Sequence, residues 1–169
     1  MISPTVRNFM KQQGFAEEAD SACDMHFSGL YFQPRIMGPL VVIAIFLQSP
    51  IFFFALSALL WWNAAFAKWN PFEMFYNRVI AGPRGKPLLS PASPPRAFAQ
   101  AMAAAFTLLA GAALLARWIV TAWILEAFLV MAFSALLFGK FCLGAYAYHL
   151  LRGKVAFANS TLPWAGPQA

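Results

Sequence analysis

Charge is scarce in this chain. Of 169 residues only 11% are charged, whereas soluble domains carry roughly 25%. Acids are the scarcest, six against twelve Lys and Arg, for a net charge of +6. A surface so poor in charge cannot be wetted all round, so a bilayer must solvate part of the molecule. There are two cysteines and two histidines, too few cysteines for a disulfide framework. A cleavable leader is not evident either. The N-terminal stretch 1–34 holds Arg7, Lys11, Glu17, Glu18, Asp20 and Asp24 and no apolar core of signal length, so insertion is expected to use an internal span. The segment Gly82-Pro83-Arg84-Gly85-Lys86-Pro87 is no phosphate loop, because Pro87 stands where Ser or Thr must hold magnesium. Ser49, Ser57 and Ser134 have no adjacent histidine, so no nucleophile is paired with a base and enzymatic activity is not expected.

Apolar residues fill the space that charge vacates: 61% are hydrophobic, 17% aromatic, and the mean hydropathy is +0.62. The expected fold class is all-α integral membrane, with four transmembrane helices, two short and two longer, plus interfacial amphipathic helices. Residues 1–34 read as a cytoplasmic segment with a surface helix. Ser3 suits its N-cap and Pro4 its first position, while Val6, Phe9 and Met10 share one face. Residues 35–152 read as the membrane domain. Its first two apolar runs, 36–48 and 51–67, meet at the turn Gln48-Ser49-Pro50. They reach about 20 and 25 Å against a core of about 30 Å. Two short spans, one kinked helix and a re-entrant hairpin all fit them.

Asn70-Pro71-Phe72-Glu73 is a capping box. The stripe Phe72, Phe75, Tyr76, Val79, Ile80 predicts an in-plane interfacial helix, followed by a Pro- and Gly-rich loop over 81–95. The longer spans are 97–116 and 121–138. In the first, Ala97, Ala101, Ala105 and Ala103, Thr107, Gly111 repeat small residues at the spacing that lets helices approach closely in lipid. Residues 153–169 read as a flexible cytoplasmic tail.

Cations decide the sidedness. With four spans, Arg7, Lys11, Arg35, Lys68, Arg78, Arg84, Lys86, Arg96, Arg152 and Lys154 fall on one side and Arg117 alone on the other. The positive-inside rule then places both termini in the cytoplasm of a plasma-membrane protein. Three spans would break that rule. Trp61, Trp62 and Trp69 fall at the inner interface, Trp118 and Trp123 at the outer. On such a chain basic residues meet lipid head groups rather than nucleic acid. Lys140, Arg84, Lys86, Arg96 and Arg117 are the expected lipid-interface residues. Asn159-Ser160-Thr161 fits a glycosylation pattern but falls on the cytoplasmic side.

Five residues are candidates for function. Glu126 is the sole acid inside a span, which suggests a proton or cation relay, or a structural acid bonded to the turn at Gln48 and Ser49. Cys23, His26, Cys142 and His149 share the cytoplasmic side. Cys23-Asp24-Met25-His26 has ligand-like spacing but is half a motif, and Cys142 and His149 lie about 10 Å apart along a helix, so no metal or other cofactor is assigned. Cys142 is otherwise a small packed residue or a redox thiol, and cytoplasmic thiols are normally kept reduced.

The stretches NPFEMFYNRVIAGPRGKPLLSPASPP, RAFAQAMAAAFTLLAG and FGKFCLG resemble, in order, a bacterial membrane family known as domain of unknown function 4395. Arg96-Ala97-Phe98-Ala99-Gln100 is similar to that family's Arg-Phe-Ala-Gln signature, with Ala97 inserted, and Phe141-Cys142-Leu143-Gly144 to its Phe-Cys-Leu-Gly signature. The resemblance covers roughly 36–152. It implies a small multi-span plasma-membrane protein and supplies no activity. Where the family pattern carries a second cysteine this chain has Ala145, which speaks against a dithiol mechanism. The expected function is an accessory or scaffold subunit, or a small transport component, meeting lipid and a membrane or cytoplasmic protein partner. The rivals are a thiol relay through Cys142 and an ion-coupled transporter using Glu126.

Overall fold

The computed structural model describes residues 3–15 and 27–165. All regular structure among them is helical. Helix α1 (Pro4–Gln12) starts as its residues dictate: Pro4 holds the first position and the Ser3 hydroxyl accepts from the Val6 N–H at 3.4 Å. Helix α2 (Phe32–Leu47) continues a helical run that begins at Phe27 and reaches 21 residues. The first span is therefore longer than the apolar run 36–48 predicts. Its added turns carry Gln33, Pro34 and Arg35, which obscured the helix in the sequence.

The expected turn separates α2 from α3 (Pro50–Ala65), with Gln48 left-handed at φ 45° and the Ser49 hydroxyl capping Phe52 N–H at 3.4 Å. The single kinked helix is excluded. At 16 residues, about 24 Å, α3 is shorter than a bilayer core. Helices α5 (Pro94–Leu115) and α6 (Ile119–Leu137) follow the loop and turn back on one another at Arg117, also left-handed at φ 59°. Three helical runs, Phe27–Leu47, Pro94–Leu115 and Ile119–Leu137, are long and apolar enough to cross a membrane.

Helix α3 lies along α5, α5 against α6, and α2 against α6. Close approach of α3 and α5 depends on small residues: a Cβ added at Gly111 would sit 3.0 Å from Phe53 Cβ and 2.9 Å from the Phe54 ring. Ala104 and Thr107 complete this buried face, and the Ser57 hydroxyl donates to the Ala104 carbonyl at 2.8 Å. Of the two small-residue repeats, the one through Thr107 and Gly111 is thus the packed one, while Ala97, Ala101 and Ala105 are half-buried. The outer surface is greasy: Phe46 is 84% exposed and Phe138 85%. Only 17% of the apolar window of α6 is buried inside the protein. In water that face would be a large apolar patch; hydrocarbon solvates it.

Three peripheral segments depart from expectation. Helix α4 (Pro71–Phe75) passes into a π-helical turn, Tyr76–Ala81. That turn rotates the stripe, so Tyr76 and Ala81 are buried while Phe75 and Val79 are each 53% exposed. α1 does not rest on a surface by its apolar stripe: Val6, Phe9 and Met10 are buried in a second core with Leu30, Tyr31, Tyr76 and Ala145. Residues 153–169 are expected to be loose, yet the described ones among them include α8 (Val155–Ser160), behind α7 (Leu143–Leu151), with Ala158 and Thr161 buried.

Candidate functional site

The two ends of the bundle differ. At one end Gln48 Nε2 donates to both oxygens of Glu126, at 3.0 and 3.1 Å, and to the Ile45 carbonyl at 2.7 Å. Glu126 is buried, and its expected neighbour in the turn is found. Arg117, in the α5–α6 turn, is exposed.

At the other end α5 presents Arg96 and Gln100 one turn apart. Arg96, read from the sequence as a lipid-interface cation, is 7% exposed, and its Nη2 lies 2.8 Å from Glu73 Oε1. The reason is the capping box. Asn70 Oδ1 caps α4 by accepting from the N–H groups of Phe72, at 3.0 Å, and Glu73, at 3.4 Å. The Glu73 carboxylate turns inward to Arg96 and also accepts from Asn70 Nδ2 at 3.2 Å. Burial pushes the Glu73 carboxyl up, while Arg96 and Asn70 pull it back down. Gln33 Oε1 closes the set, accepting from Asn70 Nδ2 at 3.2 Å and Gln100 Nε2 at 3.0 Å.

Next to this network stands Cys142, at the N-cap of α7 and buried. Burial pushes its thiol up, against the pull of the Ala145 N–H, the Gln13 side chain, the Gly144 N–H and Arg96. Its own N–H donates to Gln12 Oε1 at 2.9 Å. The Gln12 carbonyl meets His149 Nε2 at 3.0 Å, and since a carbonyl can only accept, that nitrogen carries the proton. Gln12 Nε2 donates to Thr161 Oγ1 at 3.4 Å. Cys142 and His149 therefore sit toward opposite ends of α7, each bonded to Gln12 of α1. Among the described residues no group of three or more His, Cys, Asp or Glu could hold a metal. Cys23 and His26 lie outside the described residues. Arg84 and Lys86 are exposed in the loop. Lys140 is left-handed at φ 52°, half-buried, with its ammonium 5.7 Å from the centre of the Phe27 ring.

Between the polar network and the bundle lies a cavity of about 190 Å3. Its polar end is formed by Gln13, Gln33, Arg96, Gln100 and Cys142, and its walls by Met37, Phe106, Leu129, Phe133 and other apolar side chains. Gln12, Gln13, Gln33, Asn70 and Thr161 were not expected at any site. The available signal was a polar side chain close to an apolar run, as at Gln33.

An all-helical bundle with three membrane-length apolar helices and an outer surface of bare hydrocarbon side chains defines the class: an all-α membrane protein. The chain belongs to the family described as Domain of unknown function (DUF4395), whose model matches residues 30–153. No curated protein and no solved structure matches it. The two signature stretches of the sequence meet at the site. A Cβ added at Gly144 would lie 2.6 Å from both Cα and Cβ of Ala99, so only glycine lets the start of α7 lie against α5 between Arg96 and Gln100.

Proposed function

We propose that this is a four-pass protein of the bacterial inner membrane, both termini cytoplasmic, that holds a small apolar molecule within its bundle as a small transport or accessory component. The cavity carries this reading, being apolar over most of its wall and polar at one end. Its wall residues Phe128 and Leu143, 51% and 39% exposed, also belong to the outer apolar surface, which suits entry from the lipid side. Four passes are supported by the contacts. Gln33 with Gln100 joins the starts of α2 and α5, and Gln48 with Glu126 joins the end of α2 to the start of α6. The short α3 then returns between them. Exposed Trp61, Trp62 and Trp69 cluster toward the network end, with Trp118 and Trp123 at the other, as aromatic belts would. Lipids are the surrounding partner; no nucleic-acid role is proposed.

The test is thermal unfolding of the full chain in mild detergent with ethylbenzene as probe. A saturable rise in Tm is expected, and Ala103→Phe, which fills the cavity wall, should abolish it. A wild type without saturable response overturns the reading.

The thiol relay keeps one specific support, the place of Cys142 on the same cavity. It requires the thiol to react, which a membrane-permeant maleimide would show and an inert Cys142 would refute. For the Glu126 reading, Glu126→Gln should abolish a measured ion flux; unchanged flux removes it.

A further inference from the structure

The chemistry of the molecule held follows from how the polar end of the cavity is already paired; this step rests on the reading just given. Among the described residues, Arg96 is the one charged residue lining the cavity. Its charge is already met by Glu73 at 2.8 Å, and both side chains are buried. The end of the cavity is therefore near neutral. A carboxylate or phosphate entering it would bring a second negative charge to one guanidinium, in surroundings that solvate charge poorly.

Hydrogen-bonding capacity, by contrast, is left over. Among the described residues Arg96 Nη1 finds no acceptor, Gln13 Nε2 has only the Cys142 thiol beside it, and Gln100 Oε1 finds no donor. All three residues line the cavity and are more than nine-tenths buried, Arg96 at 7%, Gln13 at 3% and Gln100 at 8% exposure. Buried donors left unmet are rare in folded proteins and call for a partner. Two N–H donors suit an oxygen that accepts twice, and a carbonyl oxygen has two lone pairs. Size sets the other limit. An apolar cavity of about 150 Å3 takes a benzene-sized molecule, so about 190 Å3 admits one ring with a short substituent.

We propose that the cavity receives a small apolar molecule by an uncharged carbonyl group, a ketone, ester or amide on a single ring or short chain, held at Arg96 Nη1 and Gln13 Nε2, and that it rejects the corresponding carboxylate. Glu73 sets this preference, because without it Arg96 would be an anion site.

Equilibrium binding to the purified full chain in mild detergent at neutral pH tests this with acetophenone, ethylbenzene and benzoate. Each is corrected for micelle partition by the cavity-filled Ala103→Phe protein. Acetophenone is expected to bind about five-fold more tightly than ethylbenzene, with no saturable benzoate binding. Gln13→Leu should reduce that ratio. The charge-neutral pair Glu73→Leu with Arg96→Met should bring it to about one while ethylbenzene still binds. Equal affinity for acetophenone and ethylbenzene in the wild type overturns the carbonyl preference and leaves the cavity reading standing. Benzoate as the tightest ligand overturns the preference by making Arg96 an anion site. Failure of all three probes removes this inference and the proposed function together.

Discussion

Glu73 and Arg96 show how single side chains govern this protein. Removing one partner of a buried pair leaves the other charge uncompensated, at a cost of about 3–5 kcal/mol, whereas replacing both with apolar residues of similar volume is close to neutral. Glu73→Gln should therefore lower the detergent Tm sharply, and Glu73→Leu combined with Arg96→Met should recover most of it. A wild-type Tm for the single variant would show that the pair carries no such weight. Cys142 gives a pH signature. Its folded-state pKa lies above the ordinary thiol value, so the folded chain holds that proton after the unfolded chain has released it. The contribution is complete below the unfolded thiol pKa, about 8.5, and is lost as pH rises from there through the folded value. Cys142→Ser should flatten the alkaline fall in stability relative to wild type; an unchanged slope refutes the assignment. Asn63 is fully buried, and neither side-chain polar atom has a partner among the described residues. Asn63→Leu should stabilise by about 1 kcal/mol, read as a higher Tm.

Helices meet here through positions where a side chain has been given up. At Gly144 the neighbouring atoms include the Ala99 backbone, which cannot rotate away as a side chain can. Gly144→Val should cost about 1–3 kcal/mol, and Ala99→Gly should restore part of it; an unaffected Tm would mean that α7 is free to lift off α5. The elements that were legible carry their own punctuation. Pro50 after Gln48-Ser49 stops one helix and opens the next, and Ser3-Pro4 opens α1. The illegible ones depend on distant partners. Arg96 reads as the flank of an apolar run and Gln33 lies ahead of the run 36–48, yet both belong to helices, where Asn70, Glu73 and Gln100 meet them. The stripe from Phe72 to Ile80 assumes an α-helical period, and the π turn Tyr76–Ala81 breaks it. Nothing local in that stretch announces the wider turn.

For the molecule as a whole, the sequence shows a bilayer protein through its poverty of charge, and the structure adds why one end of it is polar inside. Residues from α1, α2, α4, α5 and the start of α7 supply one amide, carboxylate or thiol apiece, or two at most. No single segment carries enough of the site to be read alone, which is why Cys142 and Arg96 were visible as signatures and Gln12 and Gln33 were not. The proposed topology makes its own forecast. A reporter fused after Lys86 should be active in the cytoplasm, and one inserted after Arg117 active outside; the opposite pattern would invert the orientation.

Gln12 lies in α1, yet its side chain and carbonyl are met by Cys142, His149 and Thr161, 130 or more residues further along the chain. During translation those partners emerge 130 or more residues after Gln12, so α1 must wait for them. Assembly of this end is then a closing step, in which α1 and the segment from Cys142 to Thr161 clasp each other after the greasy segments have settled.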